Sequence, residues 1–176
     1  MTGNRQAARQ LCRTALLCAL LCVLSVITVP IGAVPVTLGM LGVFLIGLLL
    51  PPRYAALAVL GYLLLGAVGL PIFSSMQGGA GILFGITGGF LWGYLPAVGI
   101  LSFLRCRIRS APLVGGICAG LLSQLICYAC GTVQFYLLTK CSVGAALTAC
   151  VLPFVPFDLC KLSAALYLSH RFRRHL

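Results

Sequence analysis

PFVPFDLCKLSAALYLSHRFRR, residues 153–174, carries the reading on which the rest of the chain depends. Asp158 is the only acidic residue of the chain, and Lys161 is the only basic residue set deep in an apolar run. Beyond Phe157 the sequence reads as membrane-spanning helix, which places both charges below the lipid surface. A charge at that depth costs several kcal/mol unless it is paired, and such residues mark ligand or ion pathways. Positions i and i+3 of a helix share a face, about 5–6 Å apart at Cβ. Asp158 and Lys161 therefore aim at one place. Pro153 and Pro156 precede them, and proline is tolerated in the first turn of a helix but not in its interior. The helix is expected to start near Phe157, with Asp158 in a first turn whose dipole favours a carboxylate.

Composition fixes the setting. The chain has 176 residues, 61% of them hydrophobic and only 7% charged, with a mean hydropathy of +1.15. Soluble domains carry about 25% charged residues. So much apolar surface calls for lipid, and the length suits a single membrane domain over residues 1–176, with about 20 residues per span. A net charge of +11 does not point to nucleic acid. The basic residues sit in short clusters at the ends of apolar runs, as loops facing the cytoplasm do. The apolar run behind Arg13 is too long for a signal peptide and shows no clear cleavage site, so it reads as a retained first span.

Spans are expected at about residues 14–30, 38–50, 54–70, 89–104, 112–138 and 157–168. The fold class is thus an all-α membrane protein of six transmembrane helices. Six spans put both termini on one side. With the N-terminus in the cytoplasm, Arg5, Arg9, Arg13, Arg53, Arg105, Arg107, Arg109, Arg171, Arg173 and Arg174 all face inward, and only Lys140 falls in an outer loop. That is a strong positive-inside pattern. The last span, about 12 residues at 1.5 Å each, measures roughly 18 Å. Asp158 then lies roughly 10 Å below the outer edge of a ~30 Å core.

Residues 69–93, GLPIFSSMQGGAGILFGITGGFLWG, interrupt the spans with eight glycines. Irregular backbone at membrane depth survives only where protein buries it or where it lines a cavity. Ile72, Phe73, Ile82, Leu83 and Phe84 want burial, so a re-entrant or lid-like segment is expected over the site. It is not a phosphate loop, since no lysine follows the glycines and no strand is expected before them. Of ten cysteines, Cys127 and Cys130 form the only C-x-x-C. No second pair or nearby histidine completes a metal site, and small apolar packing is the simpler reading. Cys141 and Cys150 both fall toward the outer side, where a disulfide is conceivable.

VPVTLGMLGVFLIGLLLPPR, YLLLGAVGLPIF, GGAGILFGITGGFLWGY and PFVPFDLCK, in that order and spacing, resemble the BioY family, the biotin-specific S components of energy-coupling-factor (ECF) vitamin transporters. The resemblance covers about residues 14–168. The chain departs from the usual pattern at Gly39, where the family commonly has glutamine, at Ile86, where it has proline, and at Phe157, where it has glycine. The resemblance implies a six-helix membrane fold in a bacterial cell membrane and capture of biotin from outside. It implies partnership with a transmembrane coupling subunit and two ABC-type ATPases. ATP would then be hydrolysed by those subunits, and no cofactor is expected on this chain. Small residues of the first helix meet the coupling subunit in the wider class, and Ala15 and Ala19 occupy that kind of position, four apart, where another helix can approach closely.

Biotin's chemistry suits the residues found. Its ureido ring offers two N–H donors to Asp158 and one strong acceptor to Lys161, and charge-assisted hydrogen bonds in a dry site are the strong kind. Its apolar remainder wants walls such as Phe73, Trp92 and Tyr94. Its carboxylate needs donors near the mouth, for which Ser74, Ser75, Gln77 and the backbone N–H groups of Gly78 and Gly79 are candidates. Thr37 and Thr87, in the proline-bearing link and beside the last glycine pair, complete the set of expected binding residues. Competing readings are a purely structural Asp158–Lys161 ion pair, and for Trp92 and Tyr94 an aromatic belt or simple packing. An intramembrane enzyme fits poorly: one carboxylate makes no acidic pair, and His170 and His175 both lie in the terminal tail. A channel would show polar residues repeated on several helices. Another vitamin as ligand is separated from biotin only by the resemblance.

Overall fold

The computed structural model describes residues 2–30, 34–108 and 112–173. Residues 31–33 of the proline-bearing link, Arg109, Arg174 and His175 lie outside them. Among the described residues eight α-helices follow in order: α1 (Thr2–Val26), α2 (Gly39–Leu49), α3 (Pro52–Ala67), α4 (Ala80–Leu83), α5 (Gly88–Arg107), α6 (Pro112–Thr139), α7 (Val143–Cys150) and α8 (Phe154–Arg173). Two short strands, β1 (Thr28–Val29) and β2 (Val36–Thr37), pair antiparallel with Thr28 opposite Thr37. Each of the six expected spans falls on a helix. By length and composition α1, α5 and α6 can cross a membrane; α7 and α8, bent by 40° at their junction, qualify as a pair, while α2 and α3 are shorter apolar helices.

Several boundaries differ from expectation, among them both ends of α1 and the start of α8. Helix α1 begins at Thr2 instead of near residue 14. Its early turns hold Arg, Gln and Ala, good helix formers that need no lipid. It stops at Val26, short of Pro30, because the β-branched Thr28 and Val29 leave the helix to pair with the returning strand. Helix α8 begins at Phe154, not Phe157. Pro156 fits in its first turn, where a missing N–H costs no hydrogen bond. Asp158 is thereby moved out of the first turn, and the helix end does not hold its charge.

The long helices alternate in direction, so the β1–β2 link, residues 68–87 and α7 gather at one end of the bundle. A hydrogen bond from the Ser75 N–H to Thr28 Oγ1, 3.0 Å, ties the first two together. The main core joins α1, α2, α3 and α5 with Ala119, Leu162 and Ala165 of α6 and α8. A smaller cluster of Val34, Val36, Tyr128, Phe135, Ala146, Cys150 and Phe154 closes the end that carries the link. Helices pack through small residues, as they must where lipid offers no hydrophobic drive. A Cβ at Gly116 would come within 2.8 Å of Leu166 Cδ2, which sets the approach of α6 to α8. Cys127 and Cys130 lie on the seam opposite Gly93, where a Cβ would stand 3.1 Å from each. The C-x-x-C thus serves helix packing. Cys141 and Cys150 are free thiols, Cys150 fully buried.

Residues 68–87 fold over this end as a compact roof. Phe73 is fully buried, its ring edge pressed on the backbone of Gly66, where any side chain would collide with it. Its N–H donates to the Gln77 carbonyl at 2.9 Å, closing a tight turn. Gly79 adopts φ +102, a left-handed conformation that favours glycine, and its N–H donates to the Gly66 carbonyl at 2.7 Å.

Candidate functional site

Beneath the roof lies a cavity of about 640 Å³, measured out to its open mouth. Helices α1, α2, α3, α5, α6 and α8, the β1–β2 link and the roof all supply its wall, from Ser25 on α1 to Lys161 on α8.

Asp158 and Lys161 form its polar focus. Lys161 Nζ lies 2.6 Å from Asp158 Oδ1, with 7% and 5% of the two side chains exposed. Two residues of α6 complete the carboxylate's shell. Tyr128 Oη donates to Oδ2 at 2.7 Å, and Gln124 Nε2 donates to the same oxygen at 2.5 Å. Gln124 and Tyr128 stand four apart on one helix face, so a single element presents both donors. The charge is thus held by three donors from two helices, which is what a buried ion pair needs to offset desolvation. The ammonium makes one hydrogen bond among the described residues. An ammonium has three donors, so Lys161 keeps protons to offer a ligand.

Aromatic rings form the two walls. On one side Tyr62 meets Phe73 edge-on at 5.4 Å and stacks with Tyr94 at 6.4 Å. On the other Phe90 stacks on Phe154 at 5.9 Å, and Tyr128 meets Phe154 edge-on at 6.5 Å. Away from the ion pair three hydroxyls converge on Gly39. A Cβ there would sit 2.7 Å from Tyr94 Oη, 2.8 Å from Ser25 Oγ and 3.2 Å from Thr37 Oγ1. A side chain at this position would displace the hydroxyl group that lines the cavity.

Of the residues expected from sequence, Asp158, Lys161, Thr37, Phe73, Thr87 and Tyr94 come together in the cavity wall, as does Ser74. Trp92 does not. It is 42% exposed, and its indole N–H donates to the Leu83 carbonyl at 3.1 Å. Trp92 and Tyr94 are two apart on α5, and residues i and i+2 do not face one another. Gln77, Gly78 and Gly79 are also outside the lining. The Gly79 N–H is taken by the Gly66 carbonyl of α3. Ala15 and Ala19 are exposed on α1, away from the cavity. Gln124, Tyr128, Tyr62, Phe90, Phe154 and Ser25 were not anticipated. Gln124 had a signal, being a polar amide within an apolar run.

The roof is pinned from the side. Gln134 Nε2 donates to the carbonyls of Leu83 (3.0 Å) and Gly85 (2.8 Å), beside the Trp92 bond to Leu83. Gln134→Leu removes both of its bonds and leaves the Leu83 carbonyl to Trp92 and the Gly85 carbonyl to the Gly88 N–H. At about 1–2 kcal/mol for such losses, backbone amides of residues 80–89 are expected to exchange with solvent roughly 5- to 30-fold faster. Unchanged exchange in that segment would show that Gln134 does not hold the roof.

A profile of the BioY family matches residues 1–176. The chain is 36% identical over 168 residues to the "Biotin transporter BioY" of Thermotoga maritima, covering 94% of this chain and 96% of that one. It is 40% identical over 145 residues to the protein of the same name from Rhodobacter capsulatus, covering 76% of each. A crystal structure described as the S-component for biotin from an ECF-type ABC transporter superposes with a TM-score of 0.91 at 25% identity, covering 97% of this chain and 94% of that one.

Proposed function

The chain belongs to the BioY family, and from that premise we propose that it is the multi-pass membrane component that captures biotin for uptake by an ECF-type transporter. The observation that carries the reading is the cavity itself, with one buried charged cluster at Asp158 and two aromatic walls. Biotin's ureido group is both donor and acceptor, and the cluster of Asp158, Lys161, Tyr128 and Gln124 offers both kinds of partner. The apolar body of the ligand suits the space between Tyr62–Tyr94 and Phe90–Phe154. Enzymatic chemistry has no part in this reading, since transport components of this kind bind and release.

Six spans with both termini in the cytoplasm fit the alternation of the long helices. Arg5, Arg9, Arg13, Arg53, Arg105, Arg107 and Arg171 then gather at the end opposite the roof, and Lys140 stands at the roof end. The mouth of the cavity faces outward. A transmembrane coupling subunit and two ABC-type ATPases would supply the energy, in a bacterial cell membrane. The exposed Ala15 and Ala19 are where the coupling subunit would dock.

Titration of the purified chain with radiolabelled biotin, with other vitamins as competitors, tests the reading, and displacement by another vitamin at lower concentration would overturn it. Saturating biotin is also expected to slow hydrogen exchange in residues 74–89, because the roof closes on an occupied cavity. Ala15→Leu with Ala19→Leu is expected to abolish co-purification with the coupling subunit, through lost helix contact, while biotin affinity stays within about 2-fold, a few tenths of a kcal/mol. Wild-type yield of the complex would refute the docking role.

A further inference from the structure

We infer that the side-chain oxygen of Gln124 is the acceptor that reads a ring N–H of the ligand, and that Asp158 acts on it as a positioning residue. The inference rests on the biotin reading and adds to it a specificity-determining residue.

The geometry begins with the carboxylate. An ionised carboxylate only accepts hydrogen bonds. Gln124 Nε2 lies 2.5 Å from Asp158 Oδ2, so the amide must present its NH₂ to that oxygen. The choice between the two amide orientations, open for most glutamines, is closed here by chemistry. The consequence falls on the other end of the group. Gln124 Oε1 is forced to the side away from Asp158, and it is buried with no hydrogen-bond partner among the described residues. Gln124 is 8% exposed and stands in the cavity wall. A buried acceptor without a donor is costly to keep. It is kept where an entering group supplies the donor.

The neighbouring groups have the opposite character. Lys161 and Tyr128 are donors, and their hydrogen bonds converge on Asp158. A ligand carbonyl meets Lys161, and an N–H adjacent to that carbonyl meets Gln124 Oε1. A cyclic urea carries that alternation. Ser25 Oγ is also buried without a partner among the described residues, but a hydroxyl rotates and serves as donor or acceptor. It cannot tell an N–H from a carbonyl, whereas a fixed amide oxygen can.

The test uses the purified full chain, biotin, and the two biotins methylated at one or the other ureido nitrogen. Gln124→Met keeps length and volume and removes the acceptor. The wild-type chain is expected to bind at least one methylated isomer about 10- to 100-fold more weakly than biotin, the range that follows from one buried hydrogen bond. Gln124→Met is expected to lose a similar factor for biotin and little for that isomer, so the discrimination ratio falls toward one. A variant that weakens all three ligands equally has lost only packing, and that result overturns the assignment. Should Gln124→Met fail to fold, the wild-type titrations decide alone: both methylated isomers bound within about 3-fold of biotin, less than 1 kcal/mol, would leave no N–H being read. Absence of biotin binding by the wild-type chain would overturn the transport reading together with this one. Intact biotin binding with an unchanged ratio overturns this one only.

Discussion

Lys161→Met is expected to lower the stability of the folded chain by about 3–5 kcal/mol, the cost of removing one partner from a buried ion pair. The substitution keeps the volume of the side chain and deletes its charge. Asp158, 5% exposed, then keeps only the neutral donors Gln124 and Tyr128. Adding Asp158→Asn to Lys161→Met removes the stranded charge, and a large part of the lost stability is expected to return. Thermal unfolding in one detergent, over the wild type, both single variants and the double variant, forms the complete cycle. Additive losses, with no recovery in the double variant, would show that the pair is not coupled. The ion pair within α8 would then not be what sustains the buried carboxylate.

That cycle bears on why one half of the site was legible in the sequence and the other half was not. Asp158 and Lys161 were readable because each is the sole residue of its kind in an apolar surrounding, and the i, i+3 spacing places them on one face without knowledge of any other helix. The roof was readable because glycine density at 69–93 breaks the apolar texture. The walls were not readable. Tyr62 and Phe90 come from helices whose spans are apolar all round, so no amphipathic stripe tells the cavity side from the lipid side. Their meeting is decided by how helices pack, through close approaches such as Gly66 to Phe73 and Gly89 to Gln134. Trp92 shows the same limit in reverse. It was nominated with Tyr94 on chemistry alone, and the turn of α5 separates them. Gln77, Gly78 and Gly79 lie outside the lining for a different reason: loop amides look available in a sequence, but here the Gly79 N–H is taken by the Gly66 carbonyl of α3.

Asp158→Asn is expected to weaken biotin binding by about 2–5 kcal/mol, the cost of truncating one partner of a buried charged hydrogen-bond network, or about one and a half to four decades in affinity. The substitution preserves shape. It replaces a carboxylate that accepts from Lys161, Tyr128 and Gln124 with a group that has one oxygen and one NH₂. The NH₂ faces at least one of three donors, so one contact turns repulsive. Gln124 loses the anchor that orients its amide, and Lys161 loses the counter-ion that holds its ammonium at the cavity wall. A ligand that binds through this cluster suffers from each of these changes. A purely structural ion pair predicts the opposite division of effects: Asp158→Asn would fold less well, yet the folded fraction would bind biotin with wild-type affinity. A biotin titration and an unfolding curve on the same purified sample separate the two. Wild-type affinity in folded Asp158→Asn would place the ligand elsewhere in the cavity, nearer the hydroxyls of Ser25, Thr37 and Tyr94 around Gly39.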